Sequence, residues 1–119
     1  MIGIGIDAVD VERFALLLAR RPHLATRLFT EGERAAAAGS AARLGARFAA
    51  KEAVMKALGV GLGAFKFRDV EVVLRDSGAP ELRLHAAAAV LAAERGVGRW
   101  HVSLTHTALT AQAVVVADA

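Results

Sequence analysis

RFAAKEAVMKALG, Arg47 to Gly59, is the stretch from which the rest of the chain can be read. Ala, Leu, Met, Lys, Glu and Arg lose little rotamer freedom in a helix, and the closing Gly suits a C-terminal cap. The pattern predicts one helix from about Ala41 to Leu58. Phe48, Glu52 and Met55 fall at i, i+4 and i+7 and therefore share a face, which sets a carboxylate between two large apolar side chains. A charge in that position needs a partner, a cation or a proton. Two readings of Glu52 follow: an ordinary i, i+4 ion pair with Lys56, worth a few tenths of a kcal/mol, or a site residue. Spacing alone does not choose between them.

Toward the N-terminus, Ile2, Ile4 and Ile6 alternate with Gly3 and Gly5, the period of a strand whose glycines admit another backbone. The strand is expected to deliver Asp7 at its end. Asp10 then caps a helix with an apolar stripe of Val11, Phe14, Leu17 and Leu18, while Arg13 and Arg20 lie on another face. Pro22 ends that helix near Arg20 and opens a short second one to Phe29. Thr30-x-x-Glu33 is a capping box, which starts a helical piece through the following Ala run.

Toward the C-terminus, GVGLG at 59–63 is a flexible loop with backbone amides open to an anion, and equally a plain turn. It lacks the Lys-Ser/Thr and the following helix of the nucleotide-hydrolase phosphate loop. Asp69 to Arg75 alternates as a strand, SGAP at 77–80 turns, and Leu82 and Leu84 return as a hairpin. His85 to Arg95 is an Ala-rich helix, and strands are expected over Trp100–Thr105 and Ala111–Ala117. Helices and a mostly antiparallel sheet in this order indicate an α+β fold with a long central helix.

At 119 residues, the chain is expected to form a single domain, 1–119. Aromatics are 5% of it and Ala is abundant, so the core is thin and self-association would relieve it. Without Cys, disulfides, thiolate metal sites and a Cys nucleophile are excluded. With neither a secretory n-region nor an apolar run of membrane-spanning length, a cytoplasmic protein is expected. The net charge of +3 fits a phosphate-bearing ligand or an acidic partner, and also an ordinary solvated surface.

Asp7 and Glu52 are the carboxylates singled out, an oxygen donor set that suits Mg²⁺, with Mn²⁺ as the alternative. Spacing does not bring them together, and Asp7 could instead cap the helix that follows. Of the four His, His106 falls on the more apolar side of its strand with Trp100, Val102 and Leu104, where a structural role is the ordinary one. Ser103 and His106 form no hydrolase signature, because no nucleophile elbow accompanies them.

GIGID at 3–7, FT-x-x-E at 29–33, RFAAKEA at 47–53, G-x-P at 78–80 and VSLTH at 102–106, in this order and spacing, resemble the holo-[acyl-carrier-protein] synthase family, the small phosphopantetheinyl transferases of bacterial fatty acid synthesis. The resemblance covers most of the chain. It implies transfer of the 4′-phosphopantetheine arm of coenzyme A to a serine of apo-acyl carrier protein, with release of adenosine 3′,5′-bisphosphate. It makes Asp7 and Glu52 the Mg²⁺ ligands, and Glu52 or a metal-held water the acceptor of the serine proton. Lys56 becomes a catalytic residue facing the phosphates. Arg47, Phe48, Gly59, Gly61, Pro80 and His106 are then coenzyme A-binding, and Arg13, Arg20 and Arg21 form the carrier-protein surface. The family also implies homotrimers with shared active sites. Val60 stands where relatives often carry Thr, and only Arg34 and Arg43 supply basic charge between Glu33 and Arg47.

Two other classes are compatible with parts of the sequence. A basic binding module would show salt dependence without a Mg²⁺ requirement. The scarcity of aromatics for base stacking, however, argues against nucleic acid as its partner. A metal-dependent phosphohydrolase would consume coenzyme A with no carrier present.

Overall fold

A computed structural model describes residues 1–119. The elements run β1 (Gly3–Asp10), α1 (Val11–Arg20), α2 (Leu24–Leu28), α3 (Glu31–Ala37), α4 (Ala41–Leu58), a 3-10 turn (Phe67–Asp69), β2 (Val70–Leu74), β3 (Pro80–Leu84), α5 (Ala86–Glu94), β4 (Arg99–His106) and β5 (Thr110–Asp118). The fold is α+β, as the element pattern predicts, but the strands form two antiparallel sheets, β1-β5-β4 and the β2-β3 hairpin. No helix is long and apolar enough to cross a membrane.

The helix from Ala41 to Leu58 forms with the predicted bounds, capped by the Ser40 hydroxyl at its start and by Gly59 at φ 70° at its end. It packs along β1 and β5 through small side chains: Ala49, Ala50, Ala53 and Ala57 on the helix, and Ala111, Ala113 and Ala117 on β5, are all buried. The closest approach is to β1. A Cβ on Gly3 would lie 2.0 Å from the Ala57 carbonyl oxygen, and one on Gly5 would lie 1.9 Å from that of Ala53. The two glycines therefore admit the backbone of α4 itself.

Several local expectations are corrected. β1 continues through Asp10, so Asp7 stands within the strand, and it is Asp10 whose carboxylate accepts the Arg13 N–H at 2.9 Å to cap α1. α2 begins at Leu24 rather than at Pro22, which lies in the preceding turn. Leu17 is 41% exposed, whereas Phe14 is buried. Leu17 thus leaves the apolar stripe and joins Arg13, Leu16 and Arg20 at i, i+3, i+4 and i+7, one helical face.

The Thr30 capping box forms in full, but Glu33 does more than cap. Its carboxylate is completely buried, accepting from Lys51 Nζ at 2.8 Å and from the Val72 N–H at 3.0 Å. Lys51 also donates to the Phe67 carbonyl at 3.0 Å and to the Val70 carbonyl. Burial lowers the Lys51 pKa, and the adjoining Glu33 opposes that shift. One buried pair thereby ties α3, α4, the 3-10 turn and β2 together. Removing either half would strand a buried charge, at a cost of about 3–5 kcal/mol.

Candidate active site

The period of two that turns Gly3 and Gly5 toward α4 turns Asp7 the same way. Asp7 Oδ1 accepts from Lys56 Nζ at 3.1 Å, and the same Nζ donates to the Ile6 carbonyl at 2.8 Å. The i, i+4 pair between Glu52 and Lys56 is therefore not formed, because Lys56 reaches across to the strand. Glu52, half-buried, lines one cavity of about 610 Å³ together with Asp7, Asp10 and Phe48. Burial raises the Glu52 pKa, the negative charge of Asp7 raises it further, and Lys56 offsets part of the shift. Two carboxylates 45 positions apart in sequence thus share one site and repel each other.

Arg13, Leu16, Leu17 and Arg20 form the α1 wall of this cavity. Arg21, next in sequence, lines a different cavity with Arg27, Lys66 and Arg68. Phe48 stands between Phe14, at 5.3 Å, and Phe67, at 5.4 Å, in a run of aromatic contacts. Arg47 is only 4% exposed and points inward, with its Nη1 donating to the Arg43 carbonyl at 3.1 Å and its Nε left without a partner. Of its guanidinium nitrogens only Nη2 is both unpaired and reachable from outside.

At the other end of the site, Lys56 lines a cavity of about 430 Å³ with Gly59 and Arg95, so it stands between the carboxylates and the glycine loop. Arg95, which the sequence reading did not single out, donates to the Leu58 carbonyl and places a cation beside Gly59. Its only signal was a basic residue just beyond a helix end. Gly61 lies in the exposed turn that follows. Pro80 opens β3 opposite Leu74, and His106 closes β4 opposite Ala111, exposed. Within one chain neither lines the cavity that holds Asp7 and Glu52.

Comparison with known proteins places the chain in a family. The model of the 4′-phosphopantetheinyl transferase superfamily matches residues 3–113. The chain is 51% identical over 118 residues to a holo-[acyl-carrier-protein] synthase of Frankia casuarinae, covering 99% of this chain and 98% of that protein. The structure superposes on a holo-[acyl-carrier-protein] synthase from Neisseria meningitidis with TM-score 0.90 at 34% identity, over 100% of this chain and 99% of the other. It also superposes on the Helicobacter pylori protein of that name in complex with coenzyme A, with TM-score 0.88 at 28% identity, over 97% and 99% of the two chains. Sequence and fold agree along almost the whole length, and the chain belongs to the holo-[acyl-carrier-protein] synthase family of 4′-phosphopantetheinyl transferases.

Proposed function

We infer that the chain, as one domain over residues 1–119, transfers the 4′-phosphopantetheine arm of coenzyme A to a serine of apo-acyl carrier protein and releases adenosine 3′,5′-bisphosphate, as a Mg²⁺-dependent cytoplasmic enzyme. The observation that carries this reading is the meeting of Asp7 and Glu52 in one cavity, with Lys56 against Asp7, in a member of this family. The coenzyme A complex of the Helicobacter pylori relative supports the donor.

The donor set fits a small hard cation. Asp7 and Glu52 would hold Mg²⁺ and leave the rest of its sphere to waters and phosphate oxygens. The mutual repulsion that raises the Glu52 pKa is what a divalent cation between the two carboxylates would offset. When bound, Mg²⁺ supplies charge neutralisation at the pyrophosphate. Mn²⁺ shares the preference for oxygen donors.

The remaining work falls to the chain's own residues. Glu52, beside Asp7 in the cavity, or a water held by the metal would accept the serine proton, while Asp10 Oδ1 is committed to capping α1. Lys56, more than half exposed, turns its ammonium from Asp7 to a phosphate, and the Gly61 amide receives a phosphate oxygen, with Gly59, whose own N–H is held by the Lys56 carbonyl at 3.1 Å, shaping the turn beside it. Positioning and charge neutralisation are the main help a phosphoryl-transfer site gives. Arg13, Arg20 and Arg21, with exposed Leu16 and Leu17, receive the carrier. Pro80 and His106 lie away from this cavity and complete it from a neighbouring copy, in a homotrimer with shared sites.

The test is incubation with coenzyme A and Mg²⁺, with and without apo-acyl carrier protein, followed by mass spectrometry of the carrier. Addition of one phosphopantetheine arm is expected. An unchanged carrier mass overturns the reading, and loss of coenzyme A without carrier would point to a hydrolase instead.

A further inference from the structure

Arg21 from the end of α1, Arg27 from α2, and Lys66 and Arg68 from the 3-10 turn ring a second large cavity, of about 590 Å³, with Leu24 and Phe67 between them. No acidic side chain lines it, and all four cations are exposed. None is in an ion pair, whereas Lys51, Lys56, Arg75 and Arg83 each hold a carboxylate within 3.4 Å. Like charges gathered around one cavity repel one another, and the neighbouring Asp69 carboxylate, which accepts the Lys66 backbone N–H at 3.2 Å, lines no part of it.

This cavity adjoins the α1 surface. Phe67, in its lining, stacks on Phe48 at 5.4 Å, and Phe48 lines the cavity of Asp7 and Glu52. Arg20 and Arg21, adjacent at the end of α1, face one cavity each. Two basic surfaces therefore share an aromatic wall and meet at one helix end.

We propose that the Arg21–Arg27–Lys66–Arg68 cavity is a second docking surface for an acidic face of the carrier protein, continuous with the Arg13–Arg20 face of α1. The inference rests on the carrier-protein reading above. A protein surface fits better than a small phosphate ligand, because a small-ligand site converges a few enclosed polar groups on one point. Here the donors are solvated and come from three elements, the arrangement that steers and registers an oppositely charged protein.

Lys66→Glu/Arg68→Glu tests this, with Lys66→Gln/Arg68→Gln as the milder variant. Thermal melts confirm that each folds. Binding of apo-acyl carrier protein is measured by titration calorimetry at two salt concentrations, beside the transfer assay. The charge reversal is expected to raise Kd for the carrier about tenfold and the neutralisation about threefold, as exposed ion contacts do when several are lost together. The salt dependence should become shallower, while KM for coenzyme A stays at the parent value. A carrier Kd that does not move in either variant overturns the proposal. So does a rise in KM for coenzyme A alone, which would make the cavity a phosphate site. Carrier binding that weakens as expected in a chain showing no transfer supports docking and removes the assigned reaction, so the two failures are distinguishable.

Discussion

Glu52 is held where its chemistry opposes stability. Burial raises its pKa first, and the charge of Asp7 adds to that. A carboxyl that binds its proton more tightly in the folded chain than in the unfolded one contributes stability only at low pH, and the contribution is lost as pH rises through the raised value. At neutral pH the ionised group is therefore a cost. Glu52→Gln should stabilise the metal-free chain at neutral pH by less than about 1 kcal/mol, because the group is only partly buried and is screened by solvent, or up to about 4 °C in Tm. The gain should shrink as pH falls toward the ordinary carboxyl value of 4.5, and transfer should be lost. Thermal melts across pH, paired with the carrier-mass assay, check both halves. A variant less stable than the parent at neutral pH would show that Glu52 serves the fold. The sequence placed Glu52 between Phe48 and Met55 but not beside Asp7, since that meeting depends on how a strand and a helix far apart in the chain approach. The burial of Arg47 was hidden for a related reason: helix spacing gives its direction, but the enclosure around its guanidinium is tertiary.

At the scale of elements, the contact between β1 and α4 decides whether the site exists. Gly5 and Gly45 make the point by contrast, since both accept the same added methyl group with different results. At Gly5 the new Cβ would sit 1.9 Å from a helix backbone oxygen, which cannot move without shifting α4. At Gly45, inside α4, the nearest atom is the Ala111 Cβ at 3.4 Å, an ordinary contact. Gly5→Ala should cost about 3 kcal/mol and abolish transfer, because β1 carries Asp7 away from Glu52 as it is pushed off the helix. Gly45→Ala should stay within about 1 kcal/mol of the parent, with helix propensity favouring Ala. Chemical denaturation of the two variants measures the difference, and equal stabilities would mean that β1 does not depend on the close approach. These elements were legible because their signals are local: Asp10, Thr30, Ser40 and Gly59 stand at helix ends in the structure. The extension of β1 past Asp7 was not, since Ala8 to Asp10 pair with Gln112 to Thr110 through hydrogen bonds that no alternation of side chains announces.

For the whole molecule, the same alternation has a consequence on the far side of the sheet. A strand with glycines on one side and isoleucines on the other would ordinarily bury the isoleucines. Here the glycine side is inward, because only bare backbone lets α4 come so close, and Ile4 and Ile6 are left 57% and 64% exposed. Their neighbours extend the surface: Ile4 pairs with Val116 and Ile6 with Val114, and these pair in turn with His101 and Ser103 of β4. An apolar row across a sheet face is a usual mark of a protein interface. It is also the simplest remedy for a core made largely of alanine, and a neighbouring copy seated there is what the proposed shared site requires. The parent chain should sediment at three times its 12.4 kDa. Ile4→Glu/Ile6→Glu should sediment as a single folded chain with transfer reduced by about a hundredfold or more, since buried unpaired carboxylates at an interface oppose association strongly. Full transfer by a monomeric variant would place every needed residue within one chain, and a monomeric parent with activity would remove the shared site altogether.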